Sequence, residues 1–207
     1  MVMAVITISR QFGAGGTTLG ERLSKRLGYR YVDDALNKEV AKKVGVSSQQ
    51  VRTLEKRGTS KLMRLLDKIV SPNYIDRRHI SDKHGRLDEK RYVAEVKSVI
   101  YKLYEEGNAV IIGRGSNYTL QSFDNTVHVL LVADLEQRIR FLIDNYQLTK
   151  SEAEKAVKRA DMIRSRFLTY FSDEENHDDP MLYTIALNMN HVNMEKAEEL
   201  ICKLISE

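Results

Sequence analysis

Cysteine, proline and tryptophan are scarce in this 207-residue chain: it has one cysteine, Cys202, two prolines and no tryptophan. A single cysteine excludes an intrachain disulfide and any cysteine-cluster metal site. It also makes a reduced, cytoplasmic setting the expectation. Two prolines and eleven glycines leave no material for long flexible or proline-rich linkers. Long apolar runs are missing too. The apolar stretch at residues 1–8 is far below the roughly 20 residues a membrane helix needs. Without a basic segment ahead of it, it does not read as a secretion signal, and no membrane partner is expected.

Apolar residues make up 42% and charged residues 30%, an ordinary globular balance that excludes a mainly disordered or fibrous chain. Net charge is only +4, but it is unevenly placed. Residues 38–68 carry nine basic side chains against three acids, a local +6, while residues 167–195 hold six acids and no lysine or arginine. A basic segment of this kind suits anionic partners.

Residues 4–9 (AVITIS) form a β-branched apolar run that predicts a buried strand. A helix is expected over 17–27, with Leu19, Leu23 and Leu27 on one face and Gly28 as its stop. Residues 29–33 predict a second short strand. Helical pieces are expected over 35–68, and an irregular excursion over 70–87. A long helix is expected over 88–106, then strands at 109–112 and 127–132. Asp134 and Thr149 are placed to cap two further helices, the second running to about Phe167. A strand at 183–187 and a helix capped by Asn193 close the chain. Strands that are apolar throughout and alternate with helices mean a parallel sheet covered on both faces.

The most informative segment lies between the first strand and the first helix: residues 10–18, RQFGAGGTT. Glycines there let backbone N–H groups turn inward, and the helix N-terminus adds partial positive charge, so the loop reads as a phosphate cradle. On the template G-x-x-x-x-G-K-[ST], Arg10 takes the first glycine position, Gly15 the second, Gly16 the lysine position and Thr17 the hydroxyl position. The lysine normally supplies charge to the β- and γ-phosphates. Arg10 is the residue placed to supply it here.

These segments together resemble nucleoside monophosphate kinases of the cytidylate kinase type, and more closely the bacterial cytidylate kinase-like family. The residues that carry the resemblance are 6–16 (ITISRQFGAGG), 27–33 (LGYRYVD), 109–115 (AVIIGRG), 161–164 (DMIR) and 187–188 (LN). The resemblance implies a three-layer α/β/α fold of the P-loop type, with a central parallel sheet, a helical acceptor-binding insertion and a helical lid. It implies one domain, with core 1–34, 88–137 and 181–207, insertion 35–87 and lid 138–180. It also implies transfer of the terminal phosphoryl group of ATP, with Mg²⁺, to a nucleoside monophosphate or similar small phosphorylated acceptor. By motif position, Gly13, Ala14, Gly15, Gly16, Thr17 and Thr18 hold the donor, with Thr17 also facing the metal. Asp33 and Arg114 fall beside the acceptor. Arg159, Arg164 and Arg166 fall on the lid, and Arg10 joins them as a catalytic candidate. Two positions depart from the cytidylate kinase pattern: Gly16 replaces lysine, and Ile112 replaces an acid just before Gly113-Arg114.

The residues support these assignments to different degrees. Arg114 lies between two glycines after a buried strand and can present a bidentate guanidinium to phosphate. Asp33 can accept from a sugar or base, or cap the next helix. Arg159 and Arg166 are seven apart and share a helix face. Arg164 lies on another, with Asp161 three residues earlier as its expected pair. Arg138 and Arg140 read as surface residues. Asp173, Glu174, Glu175, Asp178 and Asp179, with His177, read as a solvated return loop rather than a metal site. Cys202 is expected to be buried and inert.

Two alternatives stand beside the kinase reading. A nucleotide binder or sensor without turnover would keep the cradle and tolerate Gly16 and Ile112. Residues 40–57 also resemble a helix-turn-helix with a polar second helix in the basic segment. That segment coincides with the expected acceptor-binding insertion, so nucleic acid is not the expected partner. Oligomeric state is left open, a homodimer included.

Overall fold

The structure is a computed structural model, and it describes residues 4–33 and 89–206. The expectations for residues 34–88, including the basic insertion and the helix-turn-helix, lie outside the described residues. The chain divides into two compact units, one of Met1–Val32 with Ile100–Glu207 and one of Asp33–Val99.

In the first unit, β1 (Val5–Arg10) leads through the glycine loop into α1 (Gly16–Leu27), and β2 (Arg30–Val32) follows. After α2 (Glu89–Glu106), which spans both units, come β3 (Ala109–Ile112), a one-turn helix α3 (Ser116–Thr119) and β4 (Thr126–Val132). Helices α4 (Leu135–Tyr146) and α5 (Lys150–Leu168) come next. A short 3₁₀ turn (Pro180–Leu182), β5 (Ile185–Asn188) and α6 (Met194–Ser206) complete the chain. The five strands form one all-parallel sheet in the order β2-β3-β1-β4-β5. The expected α/β sheet is therefore present. Chain order reverses on either side of β1, and ligands of such sheets bind at that crevice, beyond the carboxyl ends of the strands.

Alternation along β1 separates two faces. Ile6 and Ile8 are fully buried with Leu19 and Leu23 of α1 and Ala197 and Ile201 of α6. Thr7 and Ser9 face the other way, and both are buried. Thr7 Oγ1 lies 2.7 Å from His128 Nδ1 across the sheet. Burial of the apolar strand residues provides the main driving force for assembly. The helix ends follow the sequence. Asp134 accepts from Gln137 N, Thr149 and Glu152 complete a capping box, and Asn193 accepts from Lys196 N at 2.9 Å. Strand β5 starts two residues later than expected: Thr184 N–H donates to His128 O, but His128 N–H donates to the Thr184 side chain, at Oγ1. Helix α3 was not anticipated. Its four residues are too few to show a helical period.

Candidate phosphate-binding site

Helix α1 begins at Gly16 with Gly15 as its N-cap, in the left-handed region at φ 86°. Glycine supplies no capping side chain, and the first-turn amides of a helix have no partner within it. They form a ready anion site at the carboxyl end of β1. Gly13 also turns at φ 87°, and a methyl there would stand 2.9 Å from the backbone oxygen of Arg138. Its glycine thus serves both the turn and the close approach of α4. Thr17 and Thr18 are exposed at the start of α1.

Arg10 crosses this loop. A methyl on Gly16 would lie 2.7 Å from Arg10 Cγ and 3.0 Å from its Cδ, and a methyl on Gly113 would collide with Arg10 Nη1. The side chain therefore runs from the end of β1, over the position of the template lysine, to the turn after β3. The stem of Arg10 occupies the space that a side chain at residue 16 would need, and only a residue without a Cβ fits beneath it.

Gly113, Arg114 and Gly115 are all left-handed, at φ 64°, 63° and 66°. For Arg114 this is an uncommon backbone state, of a kind found at functional sites. The surroundings enforce it. Gly113 N–H donates to Ile8 O at 2.9 Å, and Ser116 donates to Gly113 O from both its N–H and its Oγ, at 3.1 and 2.6 Å. Thr119 does the same to Gly115 O. The Phe171 ring covers Gly115 so closely that a methyl there would meet it at 2.5 Å. Pairing of Ile8 with Ile112 means that Arg10 and Arg114 leave neighbouring strands at the same sheet edge. Asp33 follows directly after β2 and is the first residue of the second unit.

The lid candidates separate. Arg159 and Arg166 are exposed. Arg164 points inward: its Nη2 donates to Ser9 Oγ at 3.0 Å and its Nη1 pairs with Asp178 at 2.7 Å. Asp161 was expected to pair with Arg164. Instead it pairs with Arg138 at 2.7 Å and accepts Phe12 N–H at 3.2 Å. Arg138, read as a surface residue, is 8% exposed. The sequence did hold a signal for this: Arg138 is three after Leu135 and four before Leu142, beside the apolar stripe of α4.

The acidic segment also turns partly inward. Asp173, Glu174 and Glu175 are exposed as expected, but His177 is buried and Asp178 half-buried. Asp178 accepts from Gln11 Nε2 at 2.9 Å, and Gln11 Oε1 accepts from Ala133 N–H at 3.1 Å. His177 Nδ1 lies 2.8 Å from Tyr118 Oη, and Tyr183 Oη donates to His177 O at 2.7 Å. Burial, then the Arg164 charge, pushes the His177 pKa down and keeps the ring neutral. Burial, reinforced by Tyr183, pushes the Tyr118 phenol up to about 12. Cys202 is half-buried, and burial raises its thiol pKa, away from reactivity. Among the described residues, no group of three or more His, Cys, Asp or Glu could hold a metal, and no helix is long and apolar enough to cross a membrane.

Comparison with known proteins agrees with the fold. An uncharacterized protein from Eubacterium ventriosum is similar at TM-score 0.67 and 16% identity, over 99% of each chain. Shikimate kinase from Bacteroides thetaiotaomicron is similar at TM-score 0.52 and 14% identity, also over 99% of each chain. Shikimate kinase from Acinetobacter baumannii, in complex with shikimate, is similar at 0.50 and 15%, over 99% of this chain and 94% of that one. These likenesses establish a P-loop kinase fold. No curated protein matches. The family model for the cytidylate kinase-like family matches residues 5–191, and the chain belongs to that family.

Proposed function

We propose that the protein transfers the terminal phosphoryl group of ATP to a nucleoside monophosphate, cytidylate-like, or to a similar small phosphorylated acceptor. The observation that carries this reading is the path of Arg10, over Gly16 and on to Gly113. It puts one guanidinium between the donor loop and the turn that presents Arg114. Phosphoryl transfer depends mainly on positioning and on positive charge at the transferred group.

The backbone of Gly13, Ala14, Gly15 and Gly16, with Thr17 and Thr18, cradles the donor phosphates. Thr17 would offer its hydroxyl to Mg²⁺, which when bound would neutralise charge on the donor phosphates. The exposed first turn of α1 fits that role. Arg10 takes the place of the lysine. Arg114 and Asp33 hold the acceptor, and Arg159, Arg164 and Arg166 belong to the lid. In the reaction, an acceptor phosphate oxygen forms the new P–O bond while the bond to the β–γ bridging oxygen breaks and ADP leaves. A phosphate monoester has its second pKa near ~6, so the attacking oxygen is already ionised at neutral pH and needs no general base. That is compatible with Ile112 standing where the cytidylate kinase pattern has an acid.

The non-catalytic reading keeps the cradle and lacks transfer. A panel decides between them: purified protein, Mg·ATP, and each nucleoside monophosphate in turn, with ADP and the diphosphate product measured. Acceptor-dependent ADP formation supports the kinase. ATP binding with no transfer to any acceptor leaves only a binder.

A further inference from the structure

Helix α5 holds the β1–loop junction at two points three residues apart, on one helix face. Arg164 bonds Ser9 directly and reaches Gln11 through Asp178. Asp161 holds Phe12, and there the contact closes on itself. Phe12 N–H donates to Asp161 Oδ1 at 3.2 Å, Asp161 Oδ2 receives Arg138 Nη1 at 2.7 Å, and Arg138 Nη1 also faces Phe12 O at 3.4 Å. Both backbone polar groups of one loop residue thus enter one ion pair.

We propose that the Arg138–Asp161 pair is a positioning device for the donor phosphates, fixing the Phe12 backbone and with it the path of the phosphate-binding loop. This rests on the kinase reading only in assigning the loop to phosphate. The pair has a consequence beyond joining two helices. Helices α4 and α5 already bury Ile139, Leu142, Ala153, Ala156, Val157 and Ala160. The residue after Phe12 is Gly13, which turns at φ 87° against the backbone of Arg138 itself. Moving the loop therefore breaks the contacts of Phe12 with both members of the pair, and separating the pair removes the fixed partners of both Phe12 groups. The Arg138 side chain is only 10% exposed, against 35% for Asp161. In such a site a charge left without its partner is costly, so the intact pair holds a single loop geometry. Asp161 and Arg138 are positioning residues in this account.

The test measures binding, so it stands apart from turnover. Affinities for inorganic tripolyphosphate and for Mg·ATP are measured by calorimetry on the full chain, with thermal midpoints recorded alongside. Asp161→Ala and Arg138→Ala are each expected to weaken both ligands by about tenfold, the scale of one charge-assisted contact. The double variant should bind no more weakly than the weaker single. Asp161→Asn keeps an acceptor for Phe12 N–H and loses the charge, so it should fall between wild type and alanine. Arg140→Ala, on an exposed side chain that pairs with the exposed Glu136, should change nothing. Unchanged affinity in Asp161→Ala overturns the proposal, as does a double variant whose loss is the product of the singles. If the alanine variants do not fold, Asp161→Asn decides, and wild-type affinity there overturns it. Wild-type protein that binds neither ligand also overturns it. Weakened binding without transfer in any variant or in wild type would sink the kinase reading and leave this one standing.

Discussion

Arg10 fills the space that a side chain on Gly16 would need: a methyl at residue 16 would stand 2.7 Å from Arg10 Cγ and 3.0 Å from Cδ. The space at the template's lysine position is filled by a residue six positions earlier, at the end of β1, and the proposed function gives that residue the lysine's charge as well.

Gly16→Ala should therefore act as an Arg10 variant. The alanine methyl cannot coexist with the present arginine path, so the guanidinium is displaced from the turn at Gly113. Triphosphate affinity should fall about tenfold, the scale of one charge-assisted hydrogen bond, with helicity by circular dichroism retained. Equal affinity in wild type and Gly16→Ala would mean that Arg10 reaches the same place by another route.

Arg114 is held in a left-handed backbone between two glycines, and its guanidinium is assigned to the acceptor. Arg114→Ala should raise KM for the acceptor by about tenfold or more while leaving KM for ATP within about twofold. Arg114→Lys should not restore the acceptor KM, because an ammonium cannot replace the bidentate fork. A change confined to the ATP KM would move Arg114 to the donor side.

Stability should depend on pH through His128. This ring is buried on β4 against Thr7, and burial lowers its pKa below the ordinary 6.5. The unfolded chain therefore binds the proton more readily than the native one. The stabilisation is complete above pH about 6.5 and is lost as pH falls from there through the lower folded value. His177 adds to the effect in the same direction. Denaturant midpoints should be level between pH 7 and 8 and should drop by pH 5. In His128→Gln the drop should be smaller. An equal drop in the variant would assign it to other groups.

The sheet was legible because its strands are continuous apolar runs and its helices carry their own caps. Residues 109–112 appear as β3 without a shift, and Asp134, Thr149 and Asn193 cap the helices they were expected to cap. The glycine loop was legible as a tight turn from strand to helix, because Gly13 and Gly15 supply the left-handed backbone it needs ahead of α1. Side-chain partnerships across long separations were not legible. Asp161 is three residues from Arg164, which local spacing favours, yet it pairs with Arg138 and with the Phe12 backbone. Asp178 looked like one acid among five in a solvated loop, and only the fold brings it to Gln11 and Arg164. Three residues in succession at positive φ, with Arg114 between two glycines, could have been suspected from G-R-G alone. The Phe171 ring that covers Gly115 lies 56 residues further along the chain.

The central claim is that Arg10 does the work of the lysine, and it is tested most directly by moving the charge back. Mg·ATP affinity and phosphoryl transfer are measured for wild type, Arg10→Ala, and Arg10→Ala combined with Gly16→Lys. The account predicts that Arg10→Ala loses affinity about tenfold or more and loses transfer. It also predicts that the double variant, with space freed at residue 16 and a cation returned to the template position, recovers a substantial part of both. Wild-type affinity and transfer in Arg10→Ala would contradict it.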